Sequence, residues 1–361
     1  MRGMKNLWNN KTRRTNLITY LVVIAAFVLM QGLSAAGMLT NSVRGYLVPV
    51  CAYIVLAVSL NLLVGVCGEL SLGHAGFMGI GAFTGVIVAT LVQGAVSSDL
   101  VRLILAMVCG GVMAGVMGFI IGIPVLRLRG DYLAIVTLAF GEIMKNVINN
   151  MYVGIDNKGF HFSISTSAVT LGEGGTMIIN GAMGASGIQK ISTFGMGFAL
   201  ILFTLFVVLN LVNSKEGRAI KAIKENRIAA ESVGINVTAF RMKAFVVSAL
   251  LAGMAGALFA LNYSAVKAAK FDFNASINIL VFVVLGGMGN ILGSVVAATV
   301  LYILPDAMRG LEDYRMIIYA IVLIVVMLCT WSPKVKGAIQ TAQIMLKEKL
   351  NFKKKEAKSN E

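Results

Sequence analysis

Residues 103–126 read LILAMVCGGVMAGVMGFIIGIPVL, a run of apolar and small residues without a single charged side chain. An α-helix needs about 20 apolar residues to cross a bilayer. Further uncharged runs of similar length lie at 17–38, 46–67, 194–213 and 244–266. Because lipid offers no hydrogen-bond partners, each run must satisfy its own backbone as a helix. The sequence therefore predicts an all-α integral membrane protein that crosses the bilayer several times.

The composition and charge of the chain agree with this class. Hydrophobic residues make up 58% of the chain and charged residues only 13%, against about a quarter charged in soluble domains. The net charge of +15 comes from lysines and arginines that flank the apolar runs, where basic residues set membrane orientation. Because no basic motif of a known binding module is present, we expect the lipid bilayer as a partner and no nucleic acid.

Ten transmembrane or partly spanning helices form the predicted topology. They are 16–35, 45–66, 72–94, 102–125, 132–150, 193–213, 244–263, 276–289, 291–305 and 315–331. Most of the 31 lysines and arginines then fall on one side, which the positive-inside rule assigns to the cytoplasm together with both termini. This divides the chain into a cytoplasmic N-terminal segment (1–15), a membrane domain (16–333) and a basic cytoplasmic tail (334–361). We favour an uncleaved first helix, although the small residues at 34–36 also resemble a signal-peptide cleavage site.

The segment 276–305 allows two interpretations. A single long helix would place the lysine-rich tail outside the cell, against the charge rule. Two short helices broken at the glycine-rich residues 286–290 keep the tail inside, and we prefer them. Such short segments are typical of broken helices that are buried in protein.

Small residues spaced four apart predict that some of these helices pack closely. The pattern includes Gly110, Ala114, Gly118 and Gly122, and it returns at Gly253 and Ala257. Between the helices, the polar stretch 151–192 is predicted to be an external loop with short structure of its own, and 214–243 a cytoplasmic loop. Residues 151–178 of the external loop have no role that the sequence assigns.

The cytoplasmic loop contains GRAIKAIKENRIAAESVGIN at residues 217–236. Its interleaved charges and its isoleucines at 220, 223 and 228 predict an amphipathic helix. One interpretation is a helix with a solvated polar face, and the other is a helix that docks into a cytoplasmic partner. Within it, Ala229, Ala230 and Gly234 are similar to the Glu-Ala-Ala-x-x-x-Gly loop with which ABC-importer permeases contact their ATPase, although Ile228 stands at the glutamate position.

Several blocks resemble permeases of branched-chain amino-acid ABC importers of the LivM type, over about residues 45–333. The blocks are LNLLVGVCGELSLGHAGFMGIGAF (60–83), LRLRGDYLAIVTLAFGEI (126–143), AIKENRIAAESVGIN (222–236), SALLAGMAGALFA (248–260) and LVFVVLGGMGNILGSVVAA (280–298). The resemblance implies an ABC-importer permease fold in the bacterial cytoplasmic membrane. It implies transport of leucine, isoleucine and valine into the cell, with urea or short amides as the alternative substrates.

The resemblance also implies partners: a second homologous permease subunit, two ATP-binding subunits and an external solute-binding protein. No cofactor is expected on this chain, since ATP is used by the partner subunits. The ATPase-docking residues would be Arg218, Ile223, Glu225, Ala229, Ala230 and Gly234.

Charged and polar residues near the apolar runs have two interpretations each. Arg127, Arg129 and Asp131 are expected to anchor a cytoplasmic helix end, with Asp131 as a helix cap, rather than to take part in coupling directly. Glu142 and Lys145 are three apart on one helix and are expected to pair. Glu142 is also assigned to the translocation path, because intramembrane charges are often functional. Glu69 and His74 flank a glycine break that either lines the same path or forms a structural turn.

The sequence does not support catalysis by this chain. It contains no phosphate-binding Gly-x-x-x-x-Gly-Lys-Ser/Thr loop, and its two histidines show no zinc-binding spacing. We therefore expect no catalytic residues and no metal. Three other classes were considered. A self-sufficient secondary transporter would leave the docking segment without a purpose, a membrane enzyme lacks a catalytic constellation, and a structural scaffold does not explain the glycine breaks.

Overall fold

A computed structural model of the chain describes residues 11–37, 41–128, 130–156, 159–164 and 175–307, together with 317, 320, 321 and 324. Among these residues, six helices are long and apolar enough to cross a membrane. The principal helices are α1 (Lys11–Ala35), α2 (Asn41–Asn61), α3 (His74–Leu91), α4 (Asp99–Val125), α5 (Asp131–Asn149), α6 (Phe194–Asn213), α7 (Lys215–Glu225), α8 (Arg227–Ser232), α9 (Val237–Ala260), α10 (Phe273–Gly286) and α11 (Ile291–Ala307). Nine of the ten predicted spans coincide with helices, and the tenth (315–331) lies largely outside the described residues.

Helices α3, α4 and α9 form the most closely packed part of the fold. A Cβ atom added to Gly253 of α9 would lie 2.5 Å from both the Ala114 Cβ and the Gly110 carbonyl oxygen of α4. A Cβ added to Gly110 would lie 2.7 Å from the Gly81 carbonyl oxygen of α3. The backbones approach this closely because these side chains are missing, so the predicted role of the small residues in helix packing is confirmed.

Helix α2 lies at the centre of the fold, packed against α6, α9 and α10. Together with the π-helical residues that follow it, α2 forms an apolar span, Val43–Cys67, whose most apolar part is 89% buried. The corresponding part of α1 is only 11% buried. The outer helices thus present apolar surfaces that water would not favour, as expected of helices in contact with lipid or other membrane subunits.

The segment 276–305 consists of two helices, α10 and α11, which confirms the preferred interpretation. The break lies at Gly287 and Gly289, whose φ angles are 90° and 85°, a backbone conformation that favours glycine. Gly286 and Gly293 face each other so closely that neither position has room for a Cβ atom. The two helices therefore turn back on each other immediately after the break.

The loop 151–192 corrects the all-α expectation, because it contributes most of a five-stranded antiparallel sheet. The strands are β1 (Tyr152–Asp156), β2 (Gly159–Ser163), β3 (Thr176–Asn180), β4 (Ala185–Ser186) and β5 (Ala265–Val266), in the order β2-β1-β3-β4-β5. The strand β5 follows α9, so the sheet ties the loop to the membrane helices. Its buried residues Val153, Ile179 and Val266 provide an apolar face that short strands require.

The chain divides into two compact units, Met1–Tyr302 and Ile303–Glu361. The first contains the helices and the sheet described above. In the second, the last residues of α11 are described, and residues 317, 320, 321 and 324 are helical. The predicted basic tail (334–361) and most of the predicted N-terminal segment (1–15) lie outside the described residues.

Candidate functional site

The α7–α8 segment lies at the end of the bundle where α9 begins, opposite the sheet. Each of its turns is fixed by a capping side chain. Ser214 Oγ accepts a hydrogen bond from Gly217 N at 3.1 Å, Asn226 Oδ1 from Ala229 N at 3.0 Å, and Asn236 Oδ1 from Ala239 N at 3.1 Å. These caps satisfy amide groups that have no partner within the helix. Asn226 interrupts the amphipathic helix predicted over 217–236, which is therefore two helices.

The inner face of the segment is apolar and buried. Ile223, Ala230 and Val237 form a small core, against which Ile235 and Phe240 pack. Two of the predicted docking residues, Ile223 and Ala230, are thus 5% and 3% exposed. Their side chains stabilise the shape of the segment and are not on its accessible surface.

The outer face of the segment is accessible and partly apolar. Ile228 is 79% exposed and Val233 is 74% exposed. The other predicted docking residues are also exposed, namely Arg218, Glu225, Ala229 and Gly234. Gly234 has a φ angle of 84°, so it ends α8 with a turn that other residues disfavour. The exposed surface is therefore presented on a short, well-fixed element.

A π-helical stretch, Leu62–Cys67, continues α2 towards this segment. It ends at Gly68, which has a φ angle of 78°. The Lys224 Nζ atom of α7 donates a hydrogen bond to the Gly65 carbonyl oxygen at 2.7 Å. Between the π-helical stretch and α7 lies an open cleft of about 430 Å³, lined by Cys67, Gly68, Glu69, Lys224, Arg227 and Arg241 among others.

An ion pair joins the end of the π-helical stretch to α9. Arg241 Nε lies 2.6 Å from Glu69 Oε1, and both side chains are largely buried. A second nitrogen of Arg241, Nη1, donates to the Leu126 carbonyl oxygen at 3.0 Å, where α4 ends. Arg241 therefore holds three elements together, which favours the structural interpretation of Glu69 over a position in an open path.

The two glycine-rich breaks of the sequence meet in space. Asn61 Oδ1 accepts a hydrogen bond from Gly289 N at 2.8 Å, and Asn61 Nδ2 donates to Ser294 Oγ at 2.8 Å. Gly65 has no room for a Cβ atom because Asn61 and the Gly289 backbone occupy that space. The end of α2 and the α10–α11 turn are consequently in direct contact.

The three residues of the predicted helix-end anchor have different environments. Asp131 is exposed and is the first residue of α5, while Gly130 is the N-cap residue. The prediction that Asp131 caps the helix is therefore wrong, although a carboxylate in the first turn is favoured by the helix dipole. Arg127 is exposed beyond the end of α4, and Arg129 lies outside the described residues.

His74 and Glu142, the other two residues of the predicted path, do not line the cleft between the π-helical stretch and α7. His74 is fully buried at the start of α3, with Nε2 2.8 Å from Ser59 Oγ, so in this conformation it takes part in helix packing. Glu142 pairs with Lys145, which confirms that prediction, and its Oε1 accepts a hydrogen bond from Phe273 N at 3.1 Å. Glu142 thus connects α5 to the start of α10.

The sequence prediction missed the residues that link these elements. Asn61, Lys224, Arg241 and Ser294 make contacts with partners that are more than 100 residues away in the chain. Asn61 carried a usable signal, because an amide within an otherwise apolar run requires a buried hydrogen-bond partner. The sequence gives no signal that singles out Lys224, because its loop contains many other lysines and arginines.

This combination of apolar helices long enough to cross a membrane, a buried helix break and an exposed capped loop is that of a multi-pass membrane protein. The chain belongs to the family of permease components of branched-chain amino acid transport systems, whose model matches residues 42–327.

Characterised relatives agree with this family. The chain is 36% identical to the high-affinity branched-chain amino acid transport system permease protein LivM of Salmonella typhimurium, over 82% of this chain and 70% of that protein. It is 34% identical to LivM of Escherichia coli, with the same coverage. A probable branched-chain amino acid transport permease of Methanocaldococcus jannaschii is 25% identical over 59% of this chain and 58% of its own. No solved structure gives a significant match.

Proposed function

We propose that this chain is the permease subunit of an ABC importer that moves leucine, isoleucine and valine into the cytoplasm. The observation that carries the proposal is the outer surface of α8 and of the turn that follows it, where Ile228 and Val233 are exposed on a segment capped by Asn226. Neighbouring exposed apolar side chains on a polar loop are typical of a surface that another protein covers. The names of the relatives support the choice of substrate.

In this proposal, ATP is bound and hydrolysed by two partner subunits that contact the α7–α8 segment. The sequence of this chain has no phosphate-binding loop, so the permease supplies the path and the partners supply the energy. An external binding protein delivers the amino acid at the sheet end. The α7–α8 end and both termini are cytoplasmic, in agreement with the positive-inside rule.

A second, homologous permease subunit would complete the path along α5. This helix carries Glu142 and Lys145, whose side chains are 32% and 21% exposed, beside the exposed Ile135 and Ile143. Charged side chains are costly in contact with hydrocarbon, so a face that carries both kinds of residue is better covered by protein. Three residues were predicted to line the path: Glu69, His74 and Glu142. Of these, Glu142 would lie near the proposed interface between the two permease subunits.

The substrate is tested by uptake of radiolabelled leucine and urea in cells with and without this chain. Loss of leucine uptake alone supports the proposal. Loss of urea uptake alone would still indicate an importer permease, but one with urea as its substrate. Uptake should continue when an uncoupler removes the proton gradient while ATP is maintained. Uptake that stops with the gradient would indicate a secondary transporter instead.

The docking surface is tested with Val233→Asp, which puts a charge on the exposed residue that directly follows α8. We expect leucine uptake to fall about tenfold or more, since a carboxylate desolvated against a partner is strongly unfavourable. The matched control is Thr238→Asp, an exposed position in the first turn of α9, where the helix dipole favours an acid. Equal membrane levels of both variants, with an effect only at Val233, would support docking; equal uptake would contradict it.

A further inference from the structure

The Gly65 carbonyl oxygen lies at an irregular helix end. The π-helical stretch finishes at Gly68, and the amide of Glu69 turns back to donate to the Leu63 carbonyl oxygen at 3.0 Å. Carbonyls in the last turn of a helix lack donors within the helix and need other partners. Interruptions of this kind are frequent at functional sites. The partner that the fold provides for Gly65 is the ammonium group of Lys224, at 2.7 Å.

The Lys224 side chain fits this position along its whole length. Its stem runs over Gly68, where an added Cβ atom would lie 2.9 Å from Lys224 Cγ. Lys224 precedes the Asn226 cap by two residues, and that cap begins α8 with its exposed Ile228. A displacement of α8 therefore reaches Lys224 through a very short piece of chain.

From Gly65 the contact continues to the broken helices. Gly65 touches the Gly289 backbone, and Asn61 holds Gly289 N and Ser294 Oγ. The α10–α11 turn thus packs on the same π-helical stretch to which Lys224 is bonded. Lys224 thus supplies a side-chain hydrogen bond between the α7–α8 segment and the π-helical stretch on which the α10–α11 turn packs.

We infer that Lys224 is a coupling residue, whose bond to the Gly65 carbonyl transmits movement of the α7–α8 segment to the π-helical stretch and the α10–α11 turn. The inference rests on the proposed docking function of that segment. Lys224 is suited to this role because the other tie, between Glu69 and Arg241, runs from the π-helical stretch to α9 and not to α7 or α8. Loss of the Lys224 ammonium group therefore leaves the Glu69–Arg241 tie in place while it removes the hydrogen bond to the α7–α8 segment.

The contact itself is tested on the purified chain, without partners. In Lys224→Met the unbranched apolar stem that packs on Gly68 is retained, but the ammonium donor at its end is lost. We expect amide hydrogen exchange in residues 62–69 to accelerate about tenfold, as local opening becomes easier. The control is Lys221→Met, which removes the same charge from an exposed position on the same helix and should leave exchange in this stretch unchanged. Equal exchange in both variants would overturn the inference.

The coupling is tested in proteoliposomes that contain the complete importer with its ATPases and binding protein. For Lys224→Met, the leucine transported per ATP hydrolysed should fall about tenfold, within the range of coupling energies between sites, while hydrolysis itself persists. The Lys221→Met complex should stay within about twofold of the wild type. Loss of folding would lower the rates of leucine transport and ATP hydrolysis together, whereas loss of coupling would lower the ratio of transport to hydrolysis.

The outcomes separate the inference from the function on which it rests. If the wild-type complex does not transport leucine, the proposed function fails. Amide exchange then still tests the hydrogen bond between Lys224 and Gly65. If the wild type transports leucine and the Lys224→Met ratio equals that of the wild type, the function stands and the coupling role is overturned. A lowered ratio together with faster exchange in residues 62–69 supports both.

Discussion

At the scale of single residues, the fold depends most on positions where a side chain is missing. Gly253 is such a position, because a Cβ atom there would lie 2.5 Å from Ala114 Cβ and from the Gly110 carbonyl oxygen. These atoms belong to a neighbouring helix and cannot rotate away. We expect Gly253→Ala to destabilise the protein by about 1–3 kcal/mol, the usual cost of overpacking a filled core. Thermal unfolding in detergent would show this as a midpoint lowered by several degrees.

The matched control is Gly195→Ala, near the start of α6. An added Cβ at Gly195 meets nothing within 4 Å. Alanine is favoured over glycine in helices by roughly 0.5–1 kcal/mol, so this variant should unfold at the wild-type temperature or slightly above it. If both alanine variants behave alike, the close approach of α4 and α9 does not limit stability.

Contacts between residues that are distant in the chain mark the boundary of what the sequence predicts at this scale. The small-residue spacing at Gly110 and Gly253 was sufficient to predict close packing, because the helical repeat puts such residues on one face. The bond between Lys224 and Gly65 has no such local signal, since it joins positions 159 apart. The burial of Ile223 and the exposure of Ile228 likewise depend on the break at Asn226, which the charge pattern did not reveal.

At the scale of elements, the α7–α8 segment is held in shape mainly by its caps and a very small core. Asn226 Oδ1 accepts from Ala229 N at 3.0 Å. Removing this acceptor in Asn226→Ala should destabilise α8 by about 1 kcal/mol. Amide exchange should become faster in residues 227–234 while the membrane helices keep wild-type exchange, because the effect is local.

The variant Asn226→Asp supplies the control for this prediction. Aspartate keeps an acceptor oxygen at the cap and adds a charge that the start of a helix favours. Exchange in residues 227–234 should therefore remain close to that of the wild type. If exchange is also faster in the aspartate variant, the side-chain NH2 group of Asn226, and not its acceptor oxygen, holds the turn.

The elements also differ in how well the sequence predicts them. Long apolar runs predicted the membrane helices, and the glycines at 286–289 together with the charge rule predicted the break between α10 and α11. The sheet was not predicted beyond short structure in the loop, because β4 and β5 are each two residues long. Such strands are defined by pairing with distant residues, as in Ala185 with Ile179 and with Val266, and this pairing has no periodic signal in either segment.

At the scale of the whole molecule, the distribution of exposed surface agrees with a membrane environment. Leu29 on α1 and Ile120 on α4 are 61% and 52% exposed, on faces that have no partner among the described helices. Helix α5 differs, because its exposed apolar residues accompany the Glu142–Lys145 pair. Under the proposed function, lipid would surround α1 and α4, and the second permease subunit would cover α5.

The orientation of the whole molecule gives the last prediction, since it decides which end could contact the ATP-binding subunits of the proposed importer. The sheet end and the α7–α8 end lie at opposite ends of α9, and both carry exposed serines, Ser186 on β4 and Ser232 on α8. The described cysteines nearest to either end give little background, because Cys51 and Cys67 are buried. We expect a membrane-impermeant maleimide to label Ser186→Cys in intact spheroplasts, and Ser232→Cys only after permeabilisation, with the unmodified chain as the control. Labelling in the reverse order would put the α7–α8 segment outside the cell, where no ATP-binding subunit reaches it, and the docking proposal would fail together with the charge-based topology.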